Sequence, residues 1–274
     1  MQPLSKIIIT EPTANIKAVA LARLRGNWGT MVIGLLIMYA AVDIPVWILN
    51  TFFGQNVDLM QIFNNLGSFS TRYYINSYDG SMSYSYSWLA TVYVLLIQGA
   101  FAFGVAYMSI MLVRARQIAS SDIFSGFSMF SKTLGLFCYM LLFIFLWAII
   151  PLAGIVLAVI AALRYSQSFY ILFDNPDMSV QDIVRTSKFM MDGNKGKLFC
   201  LDLSFIGWLI LAAVPPAIAS GMLAGNETAA SFASMIFSAG ILWVSTYMNT
   251  AEAVFYEMLR GNIPQSIPMG AYRQ

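Results

Sequence analysis

Leu134–Phe173 reads LGLFCYMLLFIFLWAIIPLAGIVLAVIAALRYSQSFYILF, an apolar stretch of 40 residues. One membrane crossing takes about 20 apolar residues at roughly 1.5 Å of rise each. This stretch is twice that long, and Pro151 and Gly154 stand near its middle, where a tight turn forms. It therefore reads as two spans, 134–150 and 155–173, joined by a very short loop. The same logic yields four more. Residues 28–50 follow the Gly26-Asn27-Trp28-Gly29 turn, and 88–113 stop at Arg114 and Arg116. Residues 198–219 are bent or ended by Pro215-Pro216, and 231–259 complete the set.

The rest of the chain agrees. Of 274 residues, 59% are hydrophobic and only 10% charged, against about 25% charged in a soluble domain. That excludes a soluble globular domain and a disordered one. The expected fold is all-α: a single polytopic helical bundle over 1–274, with six spans arranged as three hairpins. Each hairpin is preceded by a cytoplasmic interfacial helix, of which 1–27 and 179–192 are the clearest. A net charge of +2 with scattered basic residues gives no basis for nucleic-acid binding. The absence of histidine removes Ser-His and Cys-His catalysis and the commonest metal ligand. Cys138 and Cys200 both lie in apolar stretches, which argues against a structural disulfide. No cofactor and no metal site is expected, and the chain reads as a non-enzyme.

Charge fixes the expected orientation. Thirteen of the fifteen Lys and Arg residues fall on one side of a six-span arrangement, only Arg72 on the other, and Arg164 within a span. The positive-inside rule then places both termini in the cytoplasm. The outer segment 51–87 is rich in tyrosine, with SFSTRYYINSYDGSMSYSYS at 68–87. It reads as a loop in the interfacial aromatic belt, with a short β-hairpin turning at Asp79-Gly80 as the alternative. Asn226-Glu227-Thr228 matches a glycosylation sequon, a weak signal.

The chain repeats itself. Ile16–Met31 (IKAVALARLRGNWGTM) and Ile183–Leu198 (IVRTSKFMMDGNKGKL) share Gly-Asn-Xaa-Gly between a short helix and a span, and Asp122–Leu141 is a fainter third copy. All begin on the same side, so the repeats are parallel. Ser179-Val-Gln-Asp182 is a capping box in its Asp form. Val180, Ile183, Val184, Ser187, Met190 and Met191 then form one helical stripe, which reads as a face packed under the bundle, with a lipid-sensing face in the membrane interface as the alternative.

Two groups of residues are candidates for a site. Arg164, Glu252, Asp43 and Asp202 are ionisable groups within spans, where charge is costly and faces the bundle interior or water. Arg164 and Glu252 fall at similar depth and are expected to pair, with Asp43 or Asp202 as the fallback. Gly193, Asn194, Lys195 and Lys197 open the fifth span at the inner surface, where free N–H groups and lysines suit a lipid phosphate. A helix-breaking turn with positive-inside lysines is the plainer reading of the same residues.

Several blocks together resemble a family of uncharacterised bacterial integral membrane proteins common in firmicutes, the domain of unknown function nine-seven-five. They are Gly26-Asn-Trp-Gly29, Phe124-Ser-Gly-Phe127 with Lys132-Thr-Leu-Gly135, Ile150-Pro151, Arg164-Tyr-Ser166 and Asp174-Asn-Pro-Asp177. Gly193-Asn194 with Leu203-Ser-Phe-Ile-Gly-Trp208, and Tyr247-Met-Asn-Thr-Ala-Glu-Ala-Val-Phe-Tyr-Glu257, complete them. Pro151-Leu-Ala-Gly154 departs from the family's tighter Pro-Gly turn. The resemblance implies a six-span bacterial envelope protein, for which the cytoplasmic membrane is the expected location, and carries over no substrate and no catalytic residue. The expected role is that of a scaffold, assembly partner or immunity and stress factor. The alternative is a transporter or lipid-handling protein with a polar interior around Arg164 and Glu252. Expected partners are membrane lipids, with another membrane protein or a small amphipathic ligand also open.

Overall fold

A computed structural model describes residues 6–58, 83–148, 154–223 and 239–265. The Pro151 turn, the sequon at Asn226, Arg72, Asp79-Gly80 and most of the tyrosine-rich segment lie outside the described residues. In chain order the helices are α1 (Thr13–Leu24), α2 (Trp28–Phe53), α3 (Trp88–Val113), a 3-10 helix (Ser120–Met129), α4 (Phe130–Ala148) and α5 (Gly154–Tyr165). They continue with α6 (Ser168–Asp174), α7 (Val180–Met190), α8 (Lys195–Met222) and α9 (Ala239–Leu259). Two four-residue strands, β1 (Gln55–Asp58) and β2 (Ser83–Tyr86), interrupt the all-helical expectation. They pair antiparallel, Gln55 opposite Tyr86 and Asp58 opposite Ser83. The alternating Ser-Tyr run thus does form a strand, but its partner is the segment directly after α2 rather than a strand across Asp79-Gly80.

Five described helical stretches are long and apolar enough to cross a membrane: Trp28–Asn50, Trp88–Val113, Ser120–Trp147, Gly154–Asp174 and Lys195–Ile218. The described part of the expected sixth, α9, carries Glu252 and Glu257, and the apolar residues 231–238 before it lie outside the described set. Two expected boundaries change. Pro215 and Pro216 sit inside α8, which runs on to Met222. The fourth span carries a two-residue turn, 166–167, between α5, which ends at Tyr165, and α6, which starts at Ser168.

The chain divides into two compact units, residues 39–98 and the remainder. Within the smaller, the Tyr93 hydroxyl donates to the Ala41 carbonyl at 2.7 Å and the Ser87 N–H donates to the Asn50 side chain at 3.0 Å. Within the larger, α4 packs along α5, α1 and α8 pack along α9, and α6 packs on α7.

Burial in the larger unit is graded along each helix. In α8, Leu198, Leu201 and Phe205 are buried, while Trp208, Ile210 and Leu211 are more than half exposed. In α4, Leu136 is buried and Phe145 and Trp147 are exposed; in α9, Ala253 to Leu259 are buried and Trp243 is exposed. The buried ends are those carrying Lys132, Arg164, Lys195, Lys197 and Arg260. The core therefore sits at one basic end, where α1, the 3-10 helix and α7 wedge among the long helices. The α7 stripe behaves as a packing face: Ile183, Val184, Ser187, Met190 and Met191 are all buried. Its N-terminus is capped as expected, since the Ser179 hydroxyl oxygen accepts from the Asp182 N–H at 3.2 Å.

Small residues set how closely the 3-10 helix approaches α3. A Cβ placed on Gly104 would lie 1.9 Å from the Ile123 carbonyl oxygen, and one on Gly126 would lie 2.0 Å from that of Ala100. Gly26 and Gly193 have φ of +81° and +84°, the left-handed conformation that ends a helix. The two Gly-Asn-Xaa-Gly turns thus share their backbone conformation. A third Gly-Asn, at Gly261 with φ +73°, ends α9 in the same way and escaped the sequence comparison.

The glycine contacts carry a prediction. Gly104→Ala or Gly126→Ala forces backbone apart and is expected to cost about 1–3 kcal/mol or more, as overpacking does. Gly207→Ala, with nothing within 4 Å of its Cβ, is expected to stay within about 0.5 kcal/mol. Thermal unfolding in detergent measures all three, and equal effects would contradict the close approach.

Candidate functional site

The densest polar constellation lies at the basic end of the larger unit and joins the last residues of three helices. Asp174 ends α6. Its Oδ1 and Oδ2 accept a two-pronged grip from Arg114, just past α3, at 2.8 and 2.9 Å. Oδ2 also accepts from the Tyr256 hydroxyl and from Arg260 Nη1, both at 2.8 Å. Arg114 turns its remaining donors to Glu257 Oε1, at 2.9 Å from Nε and 2.7 Å from Nη2. Glu257 Oε2 accepts from the Asn262 amide at 2.6 Å. The side chains of Asp174 and Glu257 retain 10% and 3% of their exposure. Carboxylates so far out of water require this degree of compensation. Burial alone would lower the pKa of Arg114, but the hydrogen bonds from Asp174 and Glu257 outweigh it and hold the guanidinium above its usual value. Phe173 lies under the guanidinium at 5.4 Å, and Tyr170 stacks on Tyr256 at 5.2 Å.

Sequence reasoning passed over this cluster. Arg114 reads as the charge that stops a span, Asp174 as part of an Asp-Asn-Pro-Asp turn, and Glu257 only as the last residue of the block Tyr247–Glu257. The first two have plain local explanations, and partners 60 and 143 residues apart leave no periodic trace. The available signal was Glu257 itself, a second acid in the last buried turn of an apolar helix.

The expected pair is not made. Arg164 and Glu252 are absent from the ion pairs of the described residues. Arg164 stands in the last turn of α5, whereas Glu252 lies about two turns before the end of α9. Arg164 instead lies against α7, where its carbonyl accepts from the Ser187 hydroxyl at 2.8 Å. Glu252 on α9 is half-buried and lies within electrostatic reach of Asp202 on α8, and both act on Tyr170. Neither acid forms an ion pair with Arg164 among the described residues. Asp202 Oδ1 is buried with no hydrogen-bond partner. Asp43 is exposed on α2, in the smaller unit.

The Gly193–Lys197 turn has internal work. Asn194 is fully buried. Its Oδ1 accepts from the Ile9 N–H at 2.8 Å, and its Nδ2 donates to the carbonyls of Ile7 and Met190, both at 2.8 Å. Lys195 stands 3.8 Å from Asp192, and Lys197 is half-buried. The Asn194 amide is therefore taken by the chain's own N-terminal segment and not held open for a phosphate. Another lysine is fixed more firmly. Lys17 on α1 donates to the Ser204 carbonyl at 3.2 Å and lies over the Phe205 ring at 4.3 Å, and burial lowers its pKa. Tyr247 of α9 returns a hydrogen bond to the Lys17 carbonyl at 3.0 Å.

Apolar helices of this length, a core at one basic end and charges consumed in packing define a multi-helix membrane protein. The chain belongs to the family described as Protein of unknown function (DUF975), whose model matches residues 10–163 and 155–263. Comparison with the curated proteins and with the solved structures finds no match.

The network yields a graded expectation. Arg114→Ala leaves two nearly buried carboxylates without their main partner and is expected to cost about 3–5 kcal/mol. Arg260, whose side chain is 33% exposed, is expected to cost about 1 kcal/mol or less when changed to Ala. Chemical unfolding of the detergent-solubilised protein measures both. Equal losses would mean that burial does not set the value of these pairs.

Proposed function

We propose that the chain is a non-enzymatic multi-pass membrane protein that acts as a scaffold or assembly partner, the class that includes immunity and envelope-stress factors. The observation that carries this reading is the saturation of the polar cluster. Asp174 accepts four hydrogen bonds and Glu257 three, all from side chains of the same chain. Groups so fully committed to one another serve packing, and none is held in readiness for a reactant. Transport or lipid handling is the second reading, favoured by the unpartnered buried oxygen of Asp202 near Glu252.

In this reading the protein lies in a bacterial cytoplasmic membrane with six spans, α9 extending the sixth, and with both termini inside. The basic asymmetry supports that orientation. The matching conformations of the Gly26 and Gly193 turns support a parallel internal repeat. Lys195 and Lys197 meet headgroups of the inner leaflet, and the exposed apolar faces meet lipid or a partner. A cysteine at exposed Gln181 is expected to resist an impermeant thiol reagent in intact cells, and one at Ser77 to react. The reverse would invert the topology.

The scaffold reading is tested by photo-crosslinking in native membranes from Trp208 and Ile210, which are 57% and 63% exposed. Discrete protein adducts at these positions are expected. Lipid adducts alone would contradict a scaffold role for this face and leave the transport reading in its place.

A further inference from the structure

Residues 6–10, Lys-Ile-Ile-Ile-Thr, run without helix past the ends of α7 and α9, and two side-chain amides hold them from opposite edges. On one edge Asn194 takes the Ile7 carbonyl and the Ile9 N–H, each at 2.8 Å. On the other, Gln265 takes the Ile8 carbonyl at 3.1 Å and the Thr10 N–H at 2.9 Å. Alternate residues facing alternate edges is the pattern of an extended chain. A carboxamide offers a donor and an acceptor together, so each amide supplies what a neighbouring strand would offer to one residue pair. The grip is mainly to backbone, and the Gln265 Oε1 also accepts from the Thr10 hydroxyl at 3.0 Å.

Side-chain selection comes from the two turns. Gly193 and Gly261, both left-handed, give room to isoleucines. A Cβ on Gly193 would lie 2.7 Å from the Ile8 Cδ1, and one on Gly261 would lie 3.3 Å from that of Ile7. Ile9 is 4% exposed and joins the core. At the start of the segment Lys6 meets Asp192 at 2.5 Å. Asn194 is also anchored to the Met190 carbonyl at the end of α7, which fixes the amide independently of the segment.

We propose that the groove between the Gly193-Asn194 turn and Gly261–Gln265 is a peptide-binding site. Its ligand is an extended segment with a basic residue followed by branched aliphatic residues, and in this chain Lys6–Thr10 fills it in cis. The inference stands apart from the scaffold reading, since it concerns a site that either functional class would carry.

The test uses the full chain in detergent and a fluorescein-labelled peptide of residues 6–12, Lys-Ile-Ile-Ile-Thr-Glu-Pro. Ile9→Asp puts a charge into the core and displaces the resident segment. This variant is expected to bind the peptide saturably and at least about tenfold more tightly than the native chain, whose tethered segment competes at a millimolar effective concentration. Adding Asn194→Ala to Ile9→Asp is expected to weaken binding by about tenfold or more, since it removes one edge of the grip. Equal binding by the native chain and Ile9→Asp, or binding untouched by Asn194→Ala, would overturn the proposal. If Ile9→Asp does not fold, hydrogen exchange on the native chain decides the matter. Unlabelled peptide at about 2 mM, near the effective concentration of the tether, is expected to accelerate exchange of the Ile9 and Thr10 amides. Unchanged exchange would reject the site.

Discussion

A carboxylate withdrawn from water must recover its hydrogen bonds from the protein. Asp174 recovers four, from Arg114, Tyr256 and Arg260. These donors come from the residue after α3 and from the last turn and end of α9, while Asp174 itself ends α6. The fork geometry of arginine leaves little freedom in how those ends meet. With Arg114 also bound to Glu257, the same guanidinium sets the register of α9 twice. The surrounding packing follows from this fixed point. Tyr170 stacks on Tyr256, Tyr107 packs edge-on against Phe173, and the short helices fill the remaining space.

The rest of the larger unit bears out that division of labour along each helix. Toward the basic end, buried apolar residues, glycine contacts and ion pairs hold the helices together. Away from it, α4, α5 and α8 present Phe145, Ile155, Trp208 and Leu211 outward. Apolar surface of that extent is tolerable only where water is absent. In lipid the hydrophobic effect no longer drives helices together, so cohesion has to come from contacts of the kind seen at the basic end. That arrangement suits a protein that presents apolar surface on a fixed base.

Much of this was legible in the chain. Hydropathy alone locates the long helices, because a crossing needs a minimum apolar length that few other structures require. The Gly-Asn turns at Gly26 and Gly193 and the Ser179 cap are local, and local chemistry transfers directly from residues to backbone. The errors arose where geometry depends on partners remote in sequence. Arg164 stands in the last turn of a helix that ends at Tyr165, and nothing in Arg-Tyr-Ser-Gln-Ser announces that end. Asn194 was read for its position at a helix start, while its actual partners are Ile7 and Ile9, near the other end of the chain. Arg114 and Asp174 each satisfy a simpler local reading, as a span stop and a turn residue, and Glu257 meets Arg114 only through the fold.

The central claim is that one ion cluster couples α3, α6 and α9. Hydrogen exchange in lipid nanodiscs, comparing the native chain with Arg114→Ala, tests it most directly. Coupled elements open together as one cooperative unit. Faster exchange is expected jointly in 106–113, 169–174 and 251–259, three segments far apart in sequence. Acceleration confined to the residues around 114, with 169–174 and 251–259 unchanged, would contradict the account.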